Sequence, residues 1–373
     1  MKKKVLIVTS PLRVGGFDVV ATSLQMHLDR ERFECTYYIV GDEVGPLEPK
    51  VIESGAKVIH RPSNVRGYLA DYKYLKKVIR EGKYDAVHSH LMFFSGLVML
   101  AARSEGVPVR VPHGHMTDPC IEDRSFLQRR MFDVYRFFMT LLLDSCGTAL
   151  VACGPESGAY LYGKRTFEKR GIILNNGIDL SKYKFDSEMR ERKRRELGVE
   201  NKLVVGHVGR LNYIKNHKFL LDVFAELKKI NADAVLLIVG EGEEKEYVEA
   251  HQSEYIIPVG RLAFEEVVAL LESSDIFCLP SLSEGFATSA LEAAACHCYI
   301  ITTERGGTKE LVMGKEYGTV MKDNHVDTLY RALEDVANDP EKRRKAQELC
   351  YERLRKHFTW ECTTDELERI VNE

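Results

Sequence analysis

Short apolar runs rich in Val, Ile and Leu alternate along this chain with longer stretches whose apolar residues recur every three or four positions. The first pattern predicts strands, the second predicts amphipathic helices, and their alternation predicts parallel α/β architecture. In the first half strands are expected at 5–10, 35–40, 57–60, 86–89, 109–113 and 149–152. In the second half they are expected at 203–208, 234–239, 256–259, 276–280, 299–302 and 319–321. After Lys215 the residues Phe219, Leu220, Val223, Phe224 and Leu227 share one helix face. Each half opens with a strand, a glycine-containing loop and a helix, although no sequence repeat accompanies this.

Between the halves lies Asn175-Asn176-Gly177, followed by a charged helical stretch at 188–197. Asn-Gly tolerates positive φ, as a chain crossing between domains often requires. The expected domains are therefore 1–177 and 178–358, with 359–373 a final helix that returns to the first. The chain has 373 residues, enough for two cores, and its composition, 45% apolar and 29% charged, is that of a globular protein. A net charge of −3 gives no electrostatic case for nucleic acid as a partner. The nine cysteines have no regular spacing and read as free thiols of a reducing cytosol. The apolar run after Lys4 is too short for a signal peptide, and no stretch predicts a transmembrane helix.

Two stretches carry chemistry, each where a strand pattern hands over to a helix pattern. Gly209-Arg210 through Lys215 supplies two cations in a loop with no acid of its own. Backbone N–H groups at a helix start, flanked by Arg and Lys, suit a doubly charged phosphate ester. Downstream, Glu284 and Glu292 are separated by seven residues that begin Gly285-Phe286-Ala287-Thr288. Ionised carboxylates only accept hydrogen bonds, and a sugar or ribose offers donors. Together the two stretches ask for a nucleotide-sugar.

This combination resembles the retaining glycosyltransferase family four (glycosyl transferases group 1), which includes bacterial capsule, exopolysaccharide and lipopolysaccharide transferases. Gly15-Gly16, Asn176-Gly177-Ile178-Asp179 and Gly306-Gly307 with Glu310 extend the likeness along nearly the whole chain. The resemblance implies a GT-B fold, two Rossmann-like domains with parallel sheets facing across a cleft. It implies transfer of a sugar from a nucleotide diphosphate, most commonly UDP, to a glycan or lipid-linked acceptor. Arg210 and Lys215 would neutralise the diphosphate, Glu284 would contact sugar hydroxyls and Glu292 the ribose. Gly16, Gly209, Arg261, Gly285, Phe286, Ala287 and Thr288 would complete the donor site. His113, with His115 in reserve, would lie over the donor sugar, and Asp118 would face the acceptor. No metal or other cofactor is expected, and the enzyme is expected in the cytoplasm, with room for peripheral contact on the inner membrane face. A nucleotide-sugar 2-epimerase on the same fold and a non-catalytic sugar-nucleotide-binding subunit are the alternatives.

Two further features remain. His88, His90, His113 and His115 fall at the ends of two expected strands and invite a metal, yet no carboxylate or Cys completes a site and the chain has no Asp-x-Asp. The segment 124–144 places Leu127, Met131, Val134, Tyr135, Phe138 and Leu142 at helical spacing, with Arg129, Arg130 and Arg136 among them. It reads as a core helix with solvated arginines; the sharper alternative is a face that touches anionic lipid headgroups.

Overall fold

The computed structural model describes residues 2–13, 16–117, 125–230, 233–323 and 325–372. The chain divides into two units, Met1–Gly177 with Trp360–Glu373, and Ile178–Thr359.

In the first unit seven strands, β1 (Lys3–Thr9), β2 (Phe33–Ile39), β3 (Lys57–His60), β4 (Ala86–Ser89), β5 (Val109–Gly114), β6 (Leu150–Ala152) and β7 (Gly171–Ile173), pair in the order β3-β2-β1-β4-β5-β6-β7, all parallel. Helices α1 (Gly16–Met26), α2 (Glu48–Glu53), α3 (Tyr68–Gly82), α4 (Ser95–Ser104), α5 (Phe126–Cys146), α6 (Pro155–Tyr162) and α7 (Lys164–Arg170) connect them. Successive side chains of a strand point to opposite faces. Val5 and Ile7 accordingly join one apolar cluster, with Val20 and Leu24 of α1, while Leu6 and Val8 join another, with Val78 and Ile79 of α3 and Val98 of α4. The sheet is thus covered on both faces, which is why its strands read as continuous apolar runs.

The second unit repeats the plan. Strands β8 (Leu203–Val208), β9 (Ala234–Val239), β10 (Ile256–Gly260), β11 (Ile276–Leu279), β12 (Tyr299–Thr303) and β13 (Thr319–Met321) form a parallel sheet in the order β10-β9-β8-β11-β12-β13. Its helices are α8 (Ser187–Glu196), α9 (His217–Ile230), α10 (Lys245–Glu249), α11 (Phe264–Ser273), α12 (Thr288–Ala295), α13 (Val326–Ala337) and α14 (Pro340–His357). Leu220, Val223, Phe224 and Leu227 of α9 pack with Leu236, Ile301 and Leu333 in one apolar cluster. The last helix, α15 (Trp360–Asn372), belongs to the first unit, where Trp360 stacks on His27 of the residues following α1 at 5.7 Å.

All twelve expected strands are present with bounds shifted by two residues at most. The strand without a sequence signal is β7. Its three residues follow a charged helix and are too short to show a period, and it is recruited by pairing with β6.

The expectation for 124–144 is overturned over most of its length. Of α5, only Leu143 and Cys146 are buried, with Phe132, Tyr135 and Met139 packed partly against the core. Leu127, Met131, Val134 and Phe138 are exposed. Periodicity reveals that a face is apolar, not whether protein covers it.

Candidate active site

In the second unit the sheet order reverses between β8 and β11. Loops leaving the carboxyl ends of parallel strands diverge at such a point and leave room for a ligand. After β8, Asn212 caps the single turn Tyr213–Lys215 by accepting from the Lys215 N–H (3.3 Å). Asn216 then adopts a left-handed conformation (φ 59°), and its Nδ2 donates to the Pro280 carbonyl (3.3 Å). The Leu282 N–H donates to the Ile214 carbonyl at 2.8 Å. These bonds fasten the loop after β8 to the loop after β11.

Across that junction Lys215 Nζ forms an ion pair with Glu284 Oε1, and Ser281 Oγ donates to the same oxygen at 2.7 Å. The two side chains are only 16% and 13% exposed, so each depends on the other for charge balance. Behind them, the Gly307 N–H donates to the Gly285 carbonyl (2.7 Å). Gly306 has φ 100°, and a Cβ on it would lie 1.8 Å from the Glu284 carbonyl oxygen. Only glycine fits where these backbones meet.

Helix α12 begins at Thr288 with no side-chain cap, so the N–H groups at its start point out of the helix toward the same loops. The Ala287 N–H is occupied by Thr308 Oγ1 (3.1 Å), which leaves that role to Thr288 and Ser289. Phe286 is buried with its ring 5.6 Å from Phe358, so its side chain anchors the loop and offers no ring surface to a ligand. Glu292, on the second turn of α12, is half-buried. Burial pushes its carboxyl up to about 7, partly offset by a hydrogen bond from Tyr183.

The loop after β8 has no acid of its own, but its cations are nonetheless paired, because partners arrive from other strands. Arg210 meets Glu243 of the loop after β9 at 2.6 Å. That pair is 67% and 64% exposed, so it contributes little and a phosphate can displace the carboxylate. Gly209 underlies this contact: its carbonyl oxygen sits 1.9 Å from where a Cβ on Gly240 would be. Arg261 is exposed at the end of β10, the edge strand two places from β8.

The first unit has its own reversal, between β1 and β4. Gly16 is the first residue of α1, while Gly15 and Asp118 lie outside the described residues. At the ends of β4 and β5 four buried imidazoles converge. His88 Nε2 faces His113 Nδ1 at 3.1 Å, and His90 Nδ1 faces His115 Nε2 at 2.7 Å. Burial pushes His88 and His115 down to about 3 and holds His90 and His113 well below the usual histidine range, so all four are neutral. The tautomer in which His88 donates to His113 Nδ1 leaves His113 Nε2 as an N–H donor. That nitrogen has no partner among the described residues. Ring nitrogens of His88, His90 and His113 lie within 4.8 Å of one another, close enough for three neutral ligands to share an ion.

Sequence reasoning missed Glu243, Ser281 and Thr308, whose roles depend on loops far apart in the chain. It also missed Asp18 of α1, whose buried carboxyl accepts from Ser10 Oγ (3.0 Å) and is pushed up to about 6 by burial. An acid in the first turn after Gly15-Gly16 was the available signal.

Residues 14–182 match the model for Glycosyltransferase Family 4, and residues 189–353 match that for Glycosyl transferases group 1. EpsF of Bacillus subtilis (strain 168), which carries a glycosyltransferase name, is 30% identical over 303 residues, covering 79% of this chain and 77% of EpsF. An Escherichia coli protein named UDP-Gal:alpha-D-GlcNAc-diphosphoundecaprenol alpha-1,3-galactosyltransferase is 27% identical over 327 residues, 84% of this chain and 82% of that one. The crystal structure of Anabaena HepE in complex with UDP superposes with a TM-score of 0.83 at 18% identity, each chain fully covered. That likeness shows the fold, GT-B. These matches, which run through both halves of the chain, make it a member of the family 4, group 1 glycosyltransferases.

Proposed function

We propose that this enzyme moves a sugar from a UDP-sugar to a glycan or lipid-linked acceptor in surface polysaccharide synthesis, with retention of anomeric configuration. The observation that carries this reading is the Lys215–Glu284 pair, set beside Arg210 and the uncapped start of α12. The donor diphosphate lies against Arg210, Lys215 and the N–H groups of Thr288 and Ser289. Glu284 accepts from sugar hydroxyls and Glu292 from the ribose. HepE binds UDP in its crystal structure, and the Escherichia coli relative is named for a UDP-sugar donor and a diphosphoundecaprenol acceptor, which supports the same classes here.

In the reaction the acceptor hydroxyl oxygen forms a bond to the anomeric carbon on the face from which the diphosphate departs. The carbon–oxygen bond to phosphate breaks, its electron pair stays on UDP, and the acceptor's proton passes to the departing phosphate oxygen. Arg210 and Lys215 stabilise the charge that grows there. His113 is a poor candidate for the base of an inverting route, because burial disfavours its protonated form. Its unpartnered Nε2 instead suits a hydrogen bond to a sugar hydroxyl. With this cationic and N–H complement, no divalent ion is required. A panel of nucleotide-sugars and acceptors, assayed in excess chelator, should yield a product whose anomeric proton coupling shows the donor's configuration. A β-linked product from an α-linked donor would overturn retention. Loss of turnover that manganese restores would make the histidine cluster a metal site.

Glu292 gives the binding step a pH dependence. Its folded-state value of about 7 lies above the ordinary 4.5, so the folded protein holds an extra proton between them. Stability contributed by that proton is lost as pH rises through 7. The ribose needs the ionised form, so UDP-sugar affinity should rise roughly tenfold from about pH 6 to about pH 8. Calorimetry should show this rise in the wild type and a flat profile in Glu292→Gln. An unchanged slope in the variant would remove Glu292 from the ribose site.

A further inference from the structure

Leu127, Met131, Val134, Phe138 and Leu141 form one stripe along α5, and Phe126 and Phe137 lie beside it; all are between 55% and 75% exposed. Tyr68 and Leu69, at the start of α3, continue the exposed apolar surface, with the Tyr68 ring 5.8 Å from that of Tyr135. From Leu127 to Leu141 the stripe spans fifteen residues, about 21 Å of helix axis. Leaving so much contiguous apolar surface in water is costly for a soluble face, and such patches mark interaction sites. No helix among the described residues is long and apolar enough to cross a membrane, so a spanning role is not the explanation.

Charge identifies what covers it. Helix starts favour acids, because the backbone dipole is positive there. Helix α5 does the opposite. Its capping box pairs Ser125 with Gln128, a neutral residue, and the first turn carries no acid. Arg129 and Arg130 follow directly, both exposed, and Arg130 lies over the Phe126 ring at 5.4 Å. Two arginines and the dipole thus add at one end of an apolar stripe. Asp133 is the only acid between residues 126 and 138.

A second copy of the chain is the rival occupant, since the stripe has heptad spacing. Its flanks hold Arg130 and Phe137 on one side and Gln128 and Tyr135 on the other. The acid that lies further along the Arg130 flank, Asp144, is already paired with Arg170 at 3.0 Å, and Tyr135 is turned onto Tyr68. We infer that this face of α5 docks on the anionic surface of a lipid bilayer, with the apolar stripe in the acyl boundary and the arginines among lipid phosphates. Because α5 joins the parallel strands β5 and β6, it starts on the sheet edge that carries His113. Docking would bring that edge to the membrane surface. This consequence rests on the lipid-linked acceptor proposed above; the docking itself does not.

Flotation with vesicles tests it, using the full chain without donor or acceptor. The wild type should float with equimolar phosphatidylcholine and phosphatidylglycerol and remain largely in the aqueous fraction with phosphatidylcholine alone. Leu127→Ser/Val134→Ser/Phe138→Ser should lower partition onto anionic vesicles by about tenfold or more. Arg129→Ala/Arg130→Ala, which leaves the stripe intact, should lower it by about tenfold. These side chains are exposed, so melting temperatures should hold in both variants. Wild-type protein that stays in solution with either vesicle, or a serine variant that floats as well as the wild type, overturns docking. A wild-type dimer in light scattering that the serine variant abolishes would assign the face to a second copy. Flotation without any sugar transfer would leave docking intact and count against the proposed function alone.

Discussion

Lys215→Ala should lower turnover by about a hundredfold or more, because one electrostatic donor to a developing anion contributes on the order of 3 kcal/mol to the barrier. The structure makes this cost larger for Lys215 than for Arg210. Lys215 is mostly buried and is the charge partner of Glu284, so its removal strands a carboxylate that is only 13% exposed. Glu284 would then lose the cation that holds it and swing toward water, and the sugar contact would go with it. Arg210→Ala removes an exposed side chain whose resting partner, Glu243, is equally exposed. It should cost about a hundredfold in turnover and leave the resting structure unchanged. The double variant Lys215→Ala/Glu284→Gln separates the two contributions. If the lysine acts partly by holding the carboxylate, the double variant loses much less than the product of the single losses. Single-turnover rates at saturating donor read this directly, with melting curves to verify folding. Near-normal turnover in Lys215→Ala would remove the diphosphate assignment altogether.

The sequence made some of this architecture legible and concealed the rest for definite reasons. Apolar runs such as 234–239 lie in a sheet covered on both faces, and that burial is what writes a continuous run into the chain. The positions of Arg210, Lys215, Glu284 and Glu292 were readable because strand-to-helix handovers mark the carboxyl edge, where parallel sheets hold ligands. Pairing was not readable. Lys215 and Glu284 are 69 residues apart, and Arg210 and Glu243 are 33 apart. Nothing local in either loop announces its partner. The histidines show the same limit: His88 and His90 share a strand end, but the match to His113 and His115 depends on β4 pairing with β5. Helix α5 shows the converse. Its period is plain, yet exposure is a property of the neighbours it lacks.

Gly306→Ala should be nearly as damaging to turnover as loss of a charged group, although no functional side chain is touched. Gly306 holds φ 100° and ψ −174°, a region open in practice only to glycine. Strain from that conformation costs on the order of 1–3 kcal/mol of stability. The added Cβ would also fall 1.8 Å from the Glu284 carbonyl oxygen and 2.6 Å from its carbonyl carbon. These are backbone atoms, which cannot rotate away, so the Glu284–Gly285 segment must move by an ångström or more. Movement there pulls Glu284 off Lys215 and disturbs the Gly307-to-Gly285 bond in front of α12. A displacement of about 1 Å at a positioned group can cost about a hundredfold in rate, and that is the expected loss. Gly198→Ala supplies the control. Gly198 also has positive φ, 66°, but nothing lies within 4 Å of its added Cβ. It should lose stability to strain while keeping its turnover. If both variants lose only stability, the glycine contact is structural and the Glu284 loop tolerates movement. A large loss of turnover confined to Gly306→Ala would show that the Glu284 carboxylate is positioned by a backbone contact from the loop after β12 and that turnover depends on it.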